Sequence, residues 1–215
     1  NRYMRIAQLA EAPAYVVHLS SAQGLAEAER ARARGQEVYL ETCPQYLLLT
    51  DERYNDADGA KFVMSPPLRK AEDNEAIWKG LKEGKLDAIG TDHCSFTMAQ
   101  KAMGAGDFSK IPNGSAGVQH RGQLIYTYGV CEGRITLEQM VKYLSEGAAK
   151  LFGMKDHGEI AAGKAADIVV WDPLYQGRIT DTEHAHNCDN SVYAGFAVQG
   201  RARDVILNGI HAVKD

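Results

Sequence analysis

Apolar residues follow two different spacings along the first 90 residues of the chain. Three short, largely apolar runs predict buried strands: Tyr15-Val16-Val17, Val38-Tyr39-Leu40 and Leu86-Asp87-Ala88-Ile89. Helical spacing of the apolar side chains predicts helices at residues 3–10, 22–34 and 73–82. Strands that are separated by single helices are typical of βαβ units, so this part of the chain predicts a parallel sheet.

The pattern changes after residue 90. Residues 91–117 are rich in glycine and lack periodicity, and loops of this length are usually functional or disordered. Helices are predicted near residues 118–130 and after Thr136, where Thr136-Leu137-Glu138-Gln139 matches a capping box. Beyond about residue 153 a small β unit is expected, with a strand at 167–171 that Asp172-Pro173 ends. Two further strands, at 205–207 and 210–213, flank the hairpin signal Asn208-Gly209.

Composition limits the function classes. The chain has 24 Lys and Arg against 28 Asp and Glu, a net charge of −4, and 45% apolar residues. The apolar content is enough for a core and excludes a disordered or collagen-like chain. The chain lacks the block of basic residues expected of a nucleic-acid binder. No apolar run approaches the roughly 18 residues that a membrane span needs. We therefore expect neither a nucleic-acid nor a membrane partner.

The cysteines indicate where the protein is located, and the start of the chain indicates that it is part of a longer protein. The four cysteines, Cys43, Cys94, Cys131 and Cys188, are scattered, and the polar start does not resemble a secretory signal. We therefore expect a cytoplasmic protein with reduced thiols. Because Met4 falls inside the first predicted helix, the chain is expected to begin in the middle of a longer protein.

Two residues stand out because functional groups of parallel α/β folds collect at the carboxyl ends of strands. His18 ends the run Tyr15-Val16-Val17, and Asp92 follows the third predicted strand. An imidazole and a carboxylate are common ligands of zinc or a similar ion, which would lower the pKa of a bound water. From position alone, a hydrogen-bonded core histidine and a turn or helix-capping aspartate are the alternatives.

Two other groups have less support. His93 and Cys94 are adjacent and point to opposite sides in extended backbone, which disfavours a nucleophile–base pair. His184 and His186 would share a face in an extended segment and could form a metal pair. Their place in the β-rich tail favours a loop or surface role instead.

Six distinctive strings occur in order along the chain: Tyr15-Val16-Val17-His18-Leu19-Ser20, Glu41-Thr42-Cys43-Pro44-Gln45-Tyr46-Leu47, Ser65-Pro66-Pro67-Leu68-Arg69, Gly90-Thr91-Asp92-His93-Cys94-Ser95-Phe96, Gly106-Asp107-Phe108-Ser109-Lys110-Ile111-Pro112-Asn113-Gly114 and Gly163-Lys164-Ala165-Ala166-Asp167-Ile168-Val169. Together they resemble the dihydropyrimidinase/D-hydantoinase family of cyclic-amide amidohydrolases. The resemblance covers nearly the whole chain, and Gln45 after Cys43-Pro44 resembles the hydantoinase/dihydropyrimidinase branch.

The resemblance implies an α/β fold that is the C-terminal part of a (β/α)8 TIM barrel. Residues 1–157 would supply barrel strands six to eight with their helices, and residues 158–215 would supply part of a small β-sandwich. The family's His-x-His, its carboxylated lysine bridge and a further histidine would precede Asn1 and are absent from this chain. The chain therefore resembles the C-terminal half of such an enzyme and is expected to be incomplete for catalysis alone.

The resemblance also assigns roles to individual residues. His18 would bind one of two divalent metal ions, most commonly zinc. Asp92 would bind the other ion and act as the general base towards a bridging hydroxide. Ser65 and Asn113 would hold the substrate amide, largely through backbone groups. The segment Val118-Gln119-His120-Arg121 lacks the acidic residue that the family usually has there.

These expectations describe an enzyme that opens a small cyclic ureide or imide, such as a dihydropyrimidine or hydantoin, and that forms homo-oligomers, with tetramers implied by the family. The main alternative is a non-catalytic dihydropyrimidinase-like interaction protein, a class that has lost metal ligands. Retention of both His18 and Asp92 favours the enzyme. An inactive fragment is the third reading.

Overall fold

The computed structural model describes residues 1–214. Its strands are β1 (Ala14–Val16), β2 (Val38–Thr42), β3 (Ala88–Ile89), β4 (Ile168–Arg178), β5 (Ala197–Leu207) and β6 (Ile210–Lys214). Its α-helices are α1 (Arg2–Leu9), α2 (Ala22–Ala33), α3 (Gln45–Leu48), α4 (Ala71–Lys82), α5 (Met98–Lys101), α6 (Arg121–Ile125), α7 (Leu137–Val141) and α8 (Gly147–Leu151). A π-helix, Tyr126–Cys131, continues α6, and another, Lys142–Glu146, joins α7 to α8. Short 3-10 helices occur at Asp51–Asn55, Gly59–Phe62, Ala102–Gly104 and Phe108–Lys110.

The first three strands form a parallel sheet in the order β1-β2-β3 within the described residues, which confirms the predicted βα alternation. Tyr15 pairs with Tyr39, and Thr42 pairs with Ile89. Strand β2 alternates buried and half-buried residues, so that Val38, Leu40 and Thr42 face the helical layer. Parallel strands run in the same direction, so their carboxyl ends meet at one edge of the sheet.

Helices α2 and α4 cover this sheet with narrow apolar faces. Leu25, Ala28 and Ala31 of α2 are buried, and the Ser21 hydroxyl caps the helix by accepting a hydrogen bond from the Gly24 amide. Gly80 allows close packing of α4, because a Cβ there would lie 2.8 Å from Leu86 Cδ1. The two helices therefore approach each other and the sheet at small residues.

The third strand is shorter than the sequence predicts. Asp87 does not join the regular ladder, although its amide donates to the carbonyl of Leu40. Its carboxylate instead accepts from the Leu40 amide at 2.8 Å and from Arg32 at 2.8 Å. A side-chain acceptor thus takes the place of a ladder carbonyl, and β3 begins only at Ala88.

The second sheet is antiparallel, in the order β4-β5-β6 within residues 1–214. The predicted end of β4 at Asp172-Pro173 is wrong, because the strand continues to Arg178. Pro173 lies where the register shifts between Asp172 and Gln176, so its missing N–H removes no ladder bond. The hairpin at Asn208-Gly209 is confirmed: both residues have positive φ, as a type I′ turn requires, between the paired Leu207 and Ile210.

The segment 91–130 is more ordered than its composition suggests. It contains α5 and two 3-10 helices, and the helix predicted from residue 118 begins only at Arg121. The residues before it form a turn, in which the amide of His120 donates to the carbonyl of Gly117 at 3.2 Å and the amides of Gly117 and Val118 donate to Nδ1 of His93. The capping box at Thr136 and Gln139 is confirmed by reciprocal hydrogen bonds.

The antiparallel part of the chain shares the core of the parallel part. Ile179, Val192, Tyr193 and Val198 belong to the same buried cluster as the side chains of α2 and α4. The domain boundary between residues 157 and 158 stays a prediction, and the core crosses it. Among residues 1–214, no helix has the length and apolar character needed to cross a membrane.

The outer edges of β1 and β3 have no strand partner within the described residues. Large apolar side chains are exposed near β1 and on α1, and they include Val17, Ile6 and Leu9. Phe152, which is also exposed, contacts the ring of Tyr15 at a centroid distance of 5.9 Å. Open parallel edges beside exposed apolar residues are typical of a surface that further structure covers.

Candidate active site

His18 and Asp92 lie at the same edge of the parallel sheet. His18 follows β1 and Asp92 follows β3, the two strands that flank β2. Both have left-handed backbones, with φ of +39° at His18 and +47° at Asp92. Left-handed conformations are uncommon for residues other than glycine, and they occur preferentially at functional sites. Glu11 and Asn208 also have positive φ, but they lie elsewhere in the chain, so His18 and Asp92 are the non-glycine residues with left-handed backbones at this edge of the sheet.

The carboxyl end of β2 holds the backbone next to both residues. The carbonyl of Glu41 accepts from the amide of Leu19 at 2.6 Å, directly after His18. The hydroxyl of Thr42, which is fully buried, donates to the carbonyl of Leu19 at 2.8 Å. On the other side, the carbonyl of Thr42 accepts from the amide of Gly90 at 2.8 Å. Glu41 and Thr42 therefore set the spacing between the backbone that follows His18 and the backbone that precedes Asp92.

The backbone before Asp92 is held by two more side chains. Arg121 donates from Nη1 to the carbonyl of Ile89 at 3.1 Å. Gln45 donates from Nε2 to the carbonyl of Thr91 at 3.1 Å. These hydrogen bonds act on the peptide groups, and the carboxylate of Asp92 is exposed and forms no hydrogen bond within residues 1–214. The structure thus positions Asp92 without using its side chain.

The backbone after Asp92 is tied to the loop that follows Asn113. The amide of Cys94 donates to the carbonyl of Ser115 at 3.0 Å. Nδ1 of His93 accepts from the amide of Gly117 at 3.1 Å, which places its ring proton on Nε2 when the imidazole is neutral. His93 and Cys94 therefore connect two loops, and no hydrogen bond joins their side chains within residues 1–214.

Gln45 has a structural partner that explains an amide at this position. Its side chain is 2% exposed, and its Oε1 accepts from the hydroxyl of Tyr193 at 3.1 Å. Burial raises the pKa of Tyr193 well above its ordinary value, so the phenol remains a donor. The amide of Gln45 can donate to Thr91 and accept from Tyr193 at the same time. In the sequence, Gln45 indicates a branch of the family, but no pattern predicts this pair of hydrogen bonds.

A second polar group lies on the sheet face opposite the helices. The hydroxyl of Tyr15 donates to the carboxylate of Glu41 at 2.7 Å. Burial, followed by the hydrogen bond to Glu41, raises the pKa of Tyr15. A Cβ at Gly90 would lie 2.6 Å from Oε1 of Glu41, so the absence of a side chain there lets the carboxylate rest on the strand that leads to Asp92. No pattern in the sequence predicts this contact.

Ser65 and Asn113 are brought together by the fold. The hydroxyl of Ser65 donates to Oδ1 of Asn113 at 3.1 Å, although the two residues are 48 positions apart. The amide of Gly114 donates to the carbonyl of Val63 at 3.1 Å, which pairs the two backbone segments. Both Ser65 and Asn113 are exposed. The two segments that carry Ser65 and Asn113 are therefore hydrogen-bonded to each other, and both residues are accessible at the surface.

His184 and His186 lie outside regular secondary structure, as the loop interpretation predicts. Their rings are 4.8 Å apart, and the ring of His186 lies 4.9 Å from His93 and 5.7 Å from His120. Burial, together with the neighbouring imidazoles, lowers the pKa of His186 to about 4, so this ring is neutral at pH 7. The sequence did not foresee that this loop would contact the residue after Asp92.

The donor atoms of this chain fit a metal site in kind but not in number. Among residues 1–214, no three His, Cys, Asp or Glu side chains are placed to hold a metal ion together. His18 and Asp92 supply an imidazole nitrogen and a carboxylate, the donor types that zinc takes, at the edge where parallel α/β folds place their ligands. A complete metal site would need further ligands.

Known proteins resemble this chain over almost its whole length. Residues 4–210 match the amidohydrolase family. A D-phenylhydantoinase of Escherichia coli O1:K1 / APEC is 44% identical over 202 residues, which cover 93% of this chain and 44% of that enzyme.

Solved structures agree with this match. The dihydropyrimidinase from Brevibacillus agri NCHU1002 has a TM-score of 0.97 at 41% identity, covering 99% of this chain and 47% of that one. The L-hydantoinase (dihydropyrimidinase) from Arthrobacter aurescens has a TM-score of 0.90 at 28% identity, covering 99% and 47%. The chain thus has the mixed α/β fold of these proteins and spans slightly less than half of their length.

The hydroxyl of Thr42 is expected to stabilise the protein. Thr42→Val keeps the shape of the side chain but leaves the buried carbonyl of Leu19 without this donor, so the free energy of unfolding should fall by about 1–3 kcal/mol. Thr42→Ser keeps the hydroxyl and loses one methyl group, so it should lose less than about 1 kcal/mol. Urea unfolding followed by circular dichroism measures both changes. A Thr42→Val variant as stable as the wild type would contradict this assignment.

Proposed function

The chain belongs to the amidohydrolase family, and we propose that the complete protein opens the ring amide of a cyclic ureide or imide by hydrolysis. The observation that carries the proposal is the pair of left-handed residues, His18 and Asp92, on the two strands that flank β2. Relatives named D-phenylhydantoinase and dihydropyrimidinase support hydantoins and dihydropyrimidines as the substrate class.

His18 and Asp92 are the residues of this chain that would hold metal ions. Two divalent cations held there would lower the pKa of a bound water to near neutrality and would polarise the ring carbonyl. The remaining ligands, a His-x-His pair, a carboxylated lysine and a further histidine by family resemblance, would come from the half of the relatives that this chain does not span. The proposed strand numbering follows from this, with β1, β2 and β3 as barrel strands six, seven and eight.

Asp92 would move the proton in this reaction. Its carboxylate would accept a proton from the attacking water and return it to the ring nitrogen that leaves when the amide bond breaks. The hydrogen bonds of Gln45 and Arg121 to the carbonyls of Thr91 and Ile89 support this role, because they hold the backbone and leave the carboxylate available. A general base must remain accessible and in a fixed position to work efficiently.

Ser65 and Asn113 would hold the substrate amide. Their backbone groups lie on the paired segments around Val63 and Gly114, and both residues are exposed. A ring amide presents one N–H and one C=O side by side, and two adjacent peptide groups can match both. The pair would therefore orient the ring so that its carbonyl carbon faces the attacking water.

The function is tested by ring opening with protein made from the complete gene and purified with zinc. Dihydrouracil and the separate D and L enantiomers of 5-phenylhydantoin are the substrates. We expect turnover of at least one of them and two metal ions per chain. Bound metal without turnover would indicate that the substrate is another cyclic ureide. The absence of both metal and turnover would favour the non-catalytic interaction protein.

Asp92→Asn in the complete protein is expected to lower kcat by about 10²–10⁴-fold while the fold is kept, because the general base is lost. Steady-state kinetics and circular dichroism measure both properties. Asp156→Asn, at an exposed aspartate in a separate segment, is the matched control and should retain full activity. More than about a tenth of the wild-type rate in Asp92→Asn would exclude Asp92 as the base.

His18→Ala in the complete protein is expected to reduce the amount of bound metal, because one ligand is removed. Metal analysis of the purified variant by mass spectrometry gives the measurement. His211→Ala, whose imidazole pairs with Asp204 on the antiparallel sheet, should bind metal as the wild type does. If His18→Ala keeps its full metal content, His18 is a structural residue.

A further inference from the structure

Lys101 is a buried lysine with an unusual set of partners. Its side chain is 1% exposed, and its ammonium donates to the carbonyls of Val63 at 2.8 Å, Pro112 at 2.7 Å and Gly114 at 2.8 Å. The ring of Phe96 lies 5.5 Å from the same nitrogen. Within residues 1–214, no carboxylate pairs with Lys101. Buried charged groups are rarely retained without a role, because leaving water is costly for them.

The three carbonyls belong to the two segments that carry Ser65 and Asn113. Val63 precedes Ser65 by two residues, and Pro112 and Gly114 are the two neighbours of Asn113. A peptide group is planar and trans, so its C=O and the following N–H point in opposite directions. The bond from Lys101 to the carbonyl of Pro112 therefore directs the amide of Asn113 away from the ammonium.

We propose that Lys101 is a positioning residue that fixes the backbone groups around Ser65 and Asn113 in the arrangement that binds the substrate amide. This inference rests on the proposed function, since the pair needs a defined orientation only if it holds a ligand. An ammonium has three N–H donors, one for each carbonyl, and no other single side chain of similar length offers this geometry.

The charge state of Lys101 agrees with this role. Burial lowers its pKa to about 8, which is still above neutral pH, so the ammonium form with all three donors predominates at pH 7. The three carbonyl dipoles and the face of the Phe96 ring offset part of the cost of burying the charge.

The helix that carries Lys101 is anchored independently of the substrate pair. Thr97 and Gln100 form a capping box at the start of α5, and the carboxylate of Asp189 accepts from the amide of Met98 at 2.8 Å. The lysine therefore extends from a fixed helix to the two segments. A loss of its hydrogen bonds should affect the segments more than the helix.

The test is Lys101→Met in the complete, zinc-loaded protein, with dihydrouracil and 5-phenylhydantoin as probes. Methionine fills similar space and donates no hydrogen bond. We expect KM to rise at least about tenfold and kcat to change less than about threefold, because ground-state and transition-state binding are weakened alike. Metal content and the circular dichroism spectrum should match those of the wild type, since Lys101 forms no hydrogen bond with His18 or Asp92.

Two further variants make the result specific. Lys101→Arg keeps N–H donors and the charge, and its KM is expected to lie between those of the wild type and Lys101→Met. Lys110→Met changes an exposed lysine in the segment between α5 and Asn113, which pairs with Asp107 at 3.2 Å, and should leave KM unchanged. If Lys101→Met does not fold, Lys101→Gln replaces it, and a wild-type KM in that variant overturns the inference.

The outcomes separate this inference from the proposed function. If the wild type turns over substrate and folded Lys101→Met has the same KM, the role of Lys101 is wrong and the function stands. Loss of metal together with a fall in kcat would make Lys101 a general structural residue and would also overturn the inference. If the wild type hydrolyses no cyclic amide, the proposed function fails and the role of Lys101 fails with it.

Discussion

Strand β2 lies between β1 and β3, and its last two residues continue to form hydrogen bonds beyond the regular ladder. The carbonyl of Glu41 and the hydroxyl of Thr42 hold Leu19 on one side, and the carbonyl of Thr42 holds Gly90 on the other. These bonds keep the backbone in place where it enters two left-handed conformations. Left-handed residues other than glycine persist only where the surroundings hold them, so the rest of the site depends on this short segment.

The same principle recurs throughout the site: polar side chains hold backbone carbonyls next to the functional residues. Thr42 acts on Leu19, Gln45 and Arg121 act on the peptide groups before Asp92, and Lys101 acts on the segments of the substrate pair. A planar peptide group transmits the orientation of its carbonyl to the next amide. The backbone of Asp92 is therefore held by hydrogen bonds to neighbouring peptide groups and not by its own side chain.

The fold also explains why this half of the relatives' architecture forms one unit. Ile179 and Tyr193 from loops and Val198 from strand β5 lie in the same buried core as the side chains of the parallel part. The hydroxyl of Tyr193 donates to Gln45 beside the candidate site. The outer edges of β1 and β3 have no strand partner within the described residues, and exposed apolar side chains lie near β1 and on α1.

The sequence by itself determined the positions of the strands of the parallel sheet, helices α1, α2 and α4 and the Asn208-Gly209 hairpin, because these depend on spacing and on local turn chemistry. It indicated the family through the resemblance of six ordered motif strings. It also pointed to His18 and Asp92, since each directly follows a strand. It misjudged the end of β4, because the sequence around Pro173 could not show that the ladder is interrupted there. Only the tertiary structure decided the roles of Thr42, Gln45 and Lys101, because their partners are close in space through chain folding and not through any local pattern.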